Sequence, residues 1–269
     1  MVVRTLAFVG LFQAAGASFF VTLFAGWIPR SDEAIRRLGV CSALAGLMLL
    51  GLHQALDGAR MADDFSGLID ARMQSLAWNG SSGNAALLEM MGLGVIAFGL
   101  MRKGPPAAQI ATAGGLIAAC AAVLTGHTSV HSQRWLLGIL LAVHLVLVAF
   151  WFGALLPLII CSRRESRSGA GAVLQGFSSI AGPLVPCIAV AGLVMALILM
   201  PDITSWTSNY GLLVLAKLGA FALLMLLAAW NRWRALPASR SLQRVIAIEY
   251  ILIIAVLATT AVLTSFNSP

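Results

Sequence analysis

The stretch GHTSVHSQRWLLGILLAVHLVLVAFWFGALLP, residues 126–157, combines three of the chain's four histidines with a long apolar run. His127 and His131 are four residues apart, so they share a face if this part of the chain is helical. His144 lies inside the apolar run, which is long enough to cross a bilayer. Because ionisable groups are costly inside a membrane, the stretch predicts a membrane protein with a binding site.

The composition of the whole chain also indicates a polytopic membrane protein. Its 269 residues are 60% hydrophobic and 10% charged, whereas globular proteins average about 25% charged residues. The net charge of +7 comes from basic residues between apolar runs, so membrane topology explains it and no nucleic-acid partner is expected. The cysteines lie within or at the ends of apolar runs, which favours small buried residues over a disulfide framework.

Eight apolar segments approach the ~20 residues that a membrane-spanning helix needs. They predict an all-α, polytopic integral membrane protein, and the first segment is too long for the core of a signal peptide. We expect one transmembrane domain over residues 1–269, with a single long connection at residues 57–83. The predicted spans are residues 5–28, 38–57, 84–101, 107–126, 134–161, 173–200, 209–230 and 243–265.

The distribution of lysine and arginine predicts the orientation of the spans. Twelve of these residues fall in one set of connections and four in the other, while Lys217 lies inside a span and completes the seventeen. Because the basic side faces the cytoplasm, both termini should face outside, to the periplasm if the membrane is a bacterial inner membrane. The external connection at 57–83 carries four aspartates. It is either a solvated acidic loop or a weak cation-attracting vestibule.

Ionisable side chains in and beside the spans are the candidate site residues. On the predicted topology, three spans carry imidazoles or carboxylates at similar outer depth. They meet only if those spans pack together. Imidazole with carboxylate suits copper(II) or zinc, so metal contact and a structural hydrogen-bonding role both stay open for them. These residues are His53, Asp57, Glu89, His127 and His131.

Sulfur ligands that suit copper(I) lie near these groups. Met90 and Met91 directly follow the carboxylate of the third span. Cys120 forms one stripe with the two histidines after it if the fourth helix continues through Gly126. His144, about ten residues below the outer end of the fifth span, is either the next metal ligand or a donor to the backbone of a neighbouring helix.

The remaining charges inside the spans are Lys217 and Glu249. They are offset by roughly two helical turns, so structural pairing with other groups is favoured over a direct ion pair. Pro183 and Pro186 should kink the sixth span and free backbone carbonyls, as a structural bend or a hinge.

The order and spacing of several motifs resemble the CopD family of copper-resistance membrane proteins. The resemblance covers residues 126–265 best, and the first 120 residues are similar mainly in the layout of the spans. It is carried by Gly126–His127, His144, Trp151, Gly153, Leu155–Pro157, Phe177–Ser178, the segment NYGLLVLAK at 209–217, WNRWR at 230–234, and Glu249.

The resemblance implies an eight-span protein of the bacterial inner membrane that moves copper inward. It also implies that a separate periplasmic carrier similar to CopC delivers the metal. The leading hypothesis is therefore a copper permease without enzyme activity. Copper would be captured at the outer cluster and passed inward by ligand exchange near His144.

Two alternatives from other classes stay open. A membrane b-type haem protein needs histidines on several spans as axial ligands, and this chain has histidines on several spans. They do not form an obvious arrangement of one histidine pair above another. A copper sensor or assembly scaffold would bind copper without moving it. A Soret band and copper flux into proteoliposomes are the observations that separate these alternatives from the permease.

Overall fold

A computed structural model describes residues 1–200, 202, 206–234 and 240–264, without the side chains of residues 127, 228, 230–234, 240 and 241. All regular structure in these ranges is helical. Two short helices are α3 (Ala71–Asn79) and α6 (His127–Val130). The long helices are α1 (Val2–Phe24), α2 (Asp32–Ala62), α4 (Ser81–Leu100), α5 (Pro105–Cys120), α7 (Arg134–Arg164), α8 (Arg167–Leu199), α9 (Asn209–Arg234) and α10 (Arg240–Leu263).

Eight of the described helices are long and apolar enough to cross a membrane, which confirms the predicted all-α fold with eight spans. Successive spans run in opposite directions, so the bundle has two distinct ends. We call the end that carries Asp57 and residues 63–80 the histidine end, since His53 and His131 also lie there. The opposite end, which carries Arg37 and Arg164, is the arginine end.

Helix α1 occupies the centre of the bundle and packs against α2, α4, α5, α7 and α10. A helix enclosed on every side needs small side chains, because these let neighbouring backbones approach closely. Residues 14–18 of α1 read AAGAS and are all buried. Of these partners, α2 directly follows α1 in sequence, whereas α7 and α10 lie in the C-terminal half of the chain. Helix α1 therefore joins the two halves of the bundle.

The closest approach in the core joins α1 to α7. A Cβ atom on Gly16 would overlap the backbone of Gly153, and a Cβ atom on Gly153 would overlap Gly16. Pro157 lies inside α7 and has no N–H, so the Gly153 carbonyl lacks its usual helical donor. The side-chain Nε2 of Gln13 donates to that carbonyl at 2.9 Å in a buried position. One side chain thus satisfies a carbonyl that the proline leaves free.

The connection predicted at 57–83 is largely helical. Helix α2 continues to Ala62 and ends at Asp63, whose φ of 53° lies in the left-handed region. A 3₁₀ turn, Phe65–Leu68, and helix α3 follow. The Asp70 carboxylate accepts hydrogen bonds from the backbone N–H groups of Arg72 and Met73 and so caps α3.

The Gln13 hydrogen bond yields a prediction about stability. Replacing Gln13 by leucine leaves the Gly153 carbonyl unsatisfied in an apolar interior, so we expect a loss of about 1–2 kcal/mol in the free energy of unfolding. In a Pro157→Ala background the alanine N–H can donate to the same carbonyl, and Gln13→Leu should then cost less than half as much. Unfolding in mixed detergent micelles measures both costs, and equal costs in the two backgrounds would contradict the prediction.

Candidate functional site

The outer candidates begin with a pair on α2. As the spacing of four residues predicts, His53 and Asp57 meet on one face, with His53 Nδ1 3.4 Å from Asp57 Oδ2. The other carboxylate oxygen, Oδ1, accepts a hydrogen bond of 2.6 Å from Arg60. The side chains of His53 and Asp57 are 15% and 19% exposed. The carboxylate is therefore shared between an imidazole and a guanidinium at the histidine end.

The second nitrogen of His53 has no hydrogen-bond partner among the described residues. This atom, Nε2, is buried. When Nδ1 donates its proton to the Asp57 carboxylate, Nε2 keeps its lone pair. A carboxylate that orients an imidazole in this way is a common outer partner of metal-binding histidines. The pair can thus present one nitrogen ligand to a cation.

Glu89 lies on α4 and is only 9% exposed. Its charged neighbour is Arg4 of α1, which also acts electrostatically on Asp57. The Arg4 Nη1 donates a hydrogen bond of 3.1 Å to the Thr264 carbonyl, so it also ties α1 to the end of α10. The sequence interpretation counted Arg4 only as a basic residue of the N-terminus. Its position immediately before the first predicted span was the available signal that it lies at the same depth as the candidate carboxylates.

The histidines after the fourth span do not form the predicted stripe. Helix α5 ends at Cys120, and Gly126 has a φ of 81°, so the helix does not continue as that prediction required. Helix α6 ends at Val130, and His131 has extended backbone beyond it. The His131 Nδ1 accepts a hydrogen bond of 3.1 Å from the Gln133 backbone N–H. The side chain of His127 lies outside the described residues.

The sulfur candidates are separated from one another. Met90 is half-buried and packs against the apolar core, whereas Met91 is 53% exposed on another face of α4. Cys120 lines an apolar cavity of about 290 Å³ with Ala142 and Val146 of α7. Within the part of the chain that the structure covers, no three His, Cys, Asp or Glu side chains lie close enough to hold one metal ion.

His144 occupies a second site, between α7 and α8. Its Nδ1 lies 2.9 Å from the Ile188 carbonyl oxygen, and a carbonyl only accepts, so Nδ1 carries the proton. Nε2 therefore holds the lone pair. Gly192, one turn beyond Ile188, lies beside the ring: a Cβ atom there would stand in van der Waals contact with the His144 Cε1, at 3.4 Å. The sequence analysis left two roles for His144, metal ligand or donor to a neighbouring backbone, and this hydrogen bond is the second. It orients the imidazole through Nδ1 and leaves Nε2 available as a metal ligand.

Helix α9 contributes the third side of this site. Lys217 is half-buried and is an electrostatic neighbour of His144. Two turns from His144 along α7, Trp151 meets Phe221 of α9 edge to face, with ring centroids 6.0 Å apart. We call His144, Ile188, Gly192 and Lys217 the His144 site. It brings together residues of three spans that are far apart in sequence.

Glu249 lies on α10. It is 4% exposed, and the ring of the adjacent Tyr250 stacks on Phe152 at 4.6 Å. The stack holds α10 against α7. Glu249 is therefore a buried charge in the packed core of the bundle.

Comparison with known protein families gives one match. Residues 171–263 match the family model of CopD, copper resistance protein D. The C-terminal part of the chain is therefore similar to CopD. The match covers most of α8 and all of α9 and α10, and so includes Ile188, Gly192 and Lys217 of the His144 site. No curated protein and no solved structure matches the chain.

The similarity to CopD suggests a membrane protein of copper resistance and homeostasis. It bears on the His144 site more directly than on the histidine end, because the match begins at residue 171. Three of the four residues that define the His144 site lie in the CopD segment, and His144 itself reaches them from α7.

The geometry of His144 predicts its tautomer. In protein labelled with ¹⁵N-histidine, at a pH where the ring is neutral, we expect the His144 signals to report a protonated Nδ1 and an unprotonated Nε2. The signals are assigned by their loss in His144→Gln. His131 serves as the internal comparison, since its Nδ1 accepts a hydrogen bond and so should be unprotonated. A protonated Nε2 at His144 would rule out the described contact.

Proposed function

We propose that this protein is a copper permease of the bacterial inner membrane and that copper ions are its cargo. The observation that carries the proposal is the His144 ring, which the Ile188 carbonyl orients with Nε2 open, inside a span and against the CopD segment. An oriented neutral imidazole binds copper in either oxidation state. The proposed activity is transport, without catalytic chemistry.

The histidine end is the proposed entrance. By the excess of basic residues at the other end, it faces the periplasm, where copper would arrive on a separate carrier similar to CopC. His53 Nε2 would take up the ion while the Asp57 carboxylate orients the ring through Nδ1, with His127 and His131 as additional imidazoles. Copper would then move inward to His144, with Met90 and Cys120 as the sulfur candidates. The inward direction rests on the family resemblance.

Arg4 gives the proposed entrance a specific electrostatic property. The guanidinium is permanently charged and is an electrostatic neighbour of both Asp57 and Glu89, so it offsets part of their negative charge when no cation is present. A copper ion that binds there has to overcome the repulsion of a like charge. The entrance would therefore bind copper weakly and release it readily, as a transport site must.

The function is tested by copper flux into proteoliposomes that contain the purified full chain. His144→Gln is the informative variant, because its amide can still donate to the Ile188 carbonyl but offers no imidazole lone pair. We expect it to reduce flux at least tenfold while elution and helical content stay unchanged. Cys41→Ser, at an exposed cysteine, is the matched control and should transport at the wild-type rate.

One outcome would contradict the role of His144 in the permease, and two others would contradict the permease itself. Flux through His144→Gln at the wild-type rate would remove His144 from the path. Tight copper binding with no flux through the wild-type chain would instead favour a sensor or scaffold. A Soret band in the purified protein would favour the haem alternative.

A separate prediction concerns Arg4. In a His144→Gln background, where the histidine end supplies the remaining binding, Arg4→Gln should raise copper affinity by about tenfold, on the order of 1.4 kcal/mol. The glutamine keeps a donor for the Thr264 carbonyl, and Arg4→Lys retains the charge as the control. Copper titration of the purified variants measures the change. Equal affinities for Arg4→Gln and Arg4→Lys would show that the charge does not oppose the cation.

A further inference from the structure

The segment between α2 and α4 turns large apolar side chains away from the protein. Phe65 is 78% exposed, Ile69 is 90% exposed and Leu76 is 55% exposed. Ile69 has the largest exposed fraction of any large apolar side chain in the described ranges. We call these three residues the Phe65–Leu76 surface. Exposed apolar groups of this size on a connection indicate contact with something other than water.

The segment is held rigidly against α2. The Gln54 side chain donates a hydrogen bond of 2.8 Å to the Ala77 carbonyl. In return, the Gln74 side chain donates to the carbonyls of Ala55, at 3.0 Å, and Gly67, at 2.9 Å. Gly67 and Ala77 are buried, so the side of the segment that faces α2 is fixed. The exposed apolar side chains are consequently fixed on the side away from it.

The attachment points define the depth of the segment. Between Arg37 and Asp57, α2 contains no lysine, arginine, aspartate or glutamate. These two residues are about 30 Å apart along the helix axis, which equals the thickness of the hydrocarbon core of a bilayer. Gln54 and Ala55 lie less than one turn before Asp57. The segment bonded to them therefore lies level with the boundary between hydrocarbon and headgroups.

The distribution of polar groups fits this position. Asp63, Asp64, Asp70 and Arg72 lie in the same short segment as the apolar residues, and Asp64 and Arg72 are exposed. Segments that combine one apolar and one charged side lie in the interface of a membrane, with the apolar side buried to a depth of about 5–10 Å. Met48, at the middle of α2, is 78% exposed, as expected of a span that faces lipid along part of its length.

We propose that the Phe65–Leu76 surface is an interfacial anchor, with Phe65, Ile69 and Leu76 inserted among the lipid headgroups and upper acyl chains. The anchor fixes the depth of the end of α2, and with it the His53–Asp57 pair. It depends on the position of the segment in the membrane and on no property of copper. It therefore stands or falls independently of the proposed permease.

Photo-crosslinking tests this inference in the full chain. The photoreactive amino acid p-benzoylphenylalanine replaces Phe65 or Ile69, and Leu76 provides a third position if either variant elutes abnormally. The protein is reconstituted into vesicles of phosphatidylethanolamine and phosphatidylglycerol and illuminated, and intact mass spectrometry counts lipid adducts. Asp64 is the matched polar position in the same segment. Leu226, which is 69% exposed in α9, is the lipid-facing reference.

We expect the yield of lipid adducts at Phe65 and Ile69 to be at least fivefold higher than at Asp64 and within about twofold of Leu226. The inference fails if Phe65 and Ile69 react no more than Asp64 while Leu226 is labelled. It also fails if illumination of native membranes links these positions to another protein or to a second copy of the chain in place of lipid.

Discussion

The contact between α1 and α7 is the constraint on which the rest of the bundle depends. In a membrane interior, a carbonyl that loses its helical donor finds no water to replace it. Pro157 creates this situation at Gly153, and Gln13 resolves it from α1. Because the bond requires the two backbones to touch at Gly16 and Gly153, it sets both the register and the separation of the helices. The other partners of α1 pack around that contact.

The two candidate sites lie on different sides of this core. Helix α1 carries Arg4 toward α2 and α4, where Asp57 and Glu89 are its electrostatic neighbours. Helix α7 carries His144 toward α8 and α9. Both described imidazoles that lie inside spans direct Nδ1 at an oxygen, one a carboxylate and one a backbone carbonyl. The protein thus uses one chemical device twice, orienting a ring through one nitrogen and leaving the other available.

How much the sequence could predict follows from what each pattern measures. Hydropathy measures whether a segment tolerates lipid, so it located all eight spans, and the spacing of His53 and Asp57 predicted a pair because both lie on one helix. The depth of a residue in the membrane could also be predicted, from its position along its span. The neighbouring helix that a side chain faces could not be predicted, because it depends on how the helices pack together. Arg4 beside Glu89 and Lys217 beside His144 are contacts of that kind.

The break after Cys120 shows a different limit. The apolar run continues to residue 126, so hydropathy extended the helix, but the α-helix ends at Cys120, a 3₁₀ turn follows at Ala121–Leu124, and Gly126 then has a positive φ. A single glycine can either continue a helix or turn the chain, and the local sequence does not distinguish these outcomes. The predicted stripe of Cys120, His127 and His131 required regular helix through all of these residues, and the chain leaves that geometry before and after Gly126. His53 and Asp57 both lie inside the unbroken helix α2, so the prediction that they pair did not depend on where a helix ends.

The Gln13 bond has a consequence for how the protein is made. Gln13 and Gly153 are separated by 140 positions, so α1 enters the membrane well before its partner exists. At a synthesis rate of about 5–20 residues per second, the interval is roughly 7–28 s. During that time α2, α4 and α5 can already pack against α1, but the Gln13 amide and Gly16 lack their partner on α7. The first span must therefore be sheltered near the insertion machinery, or remain loosely placed in lipid, until α7 emerges and the centre of the protein can close.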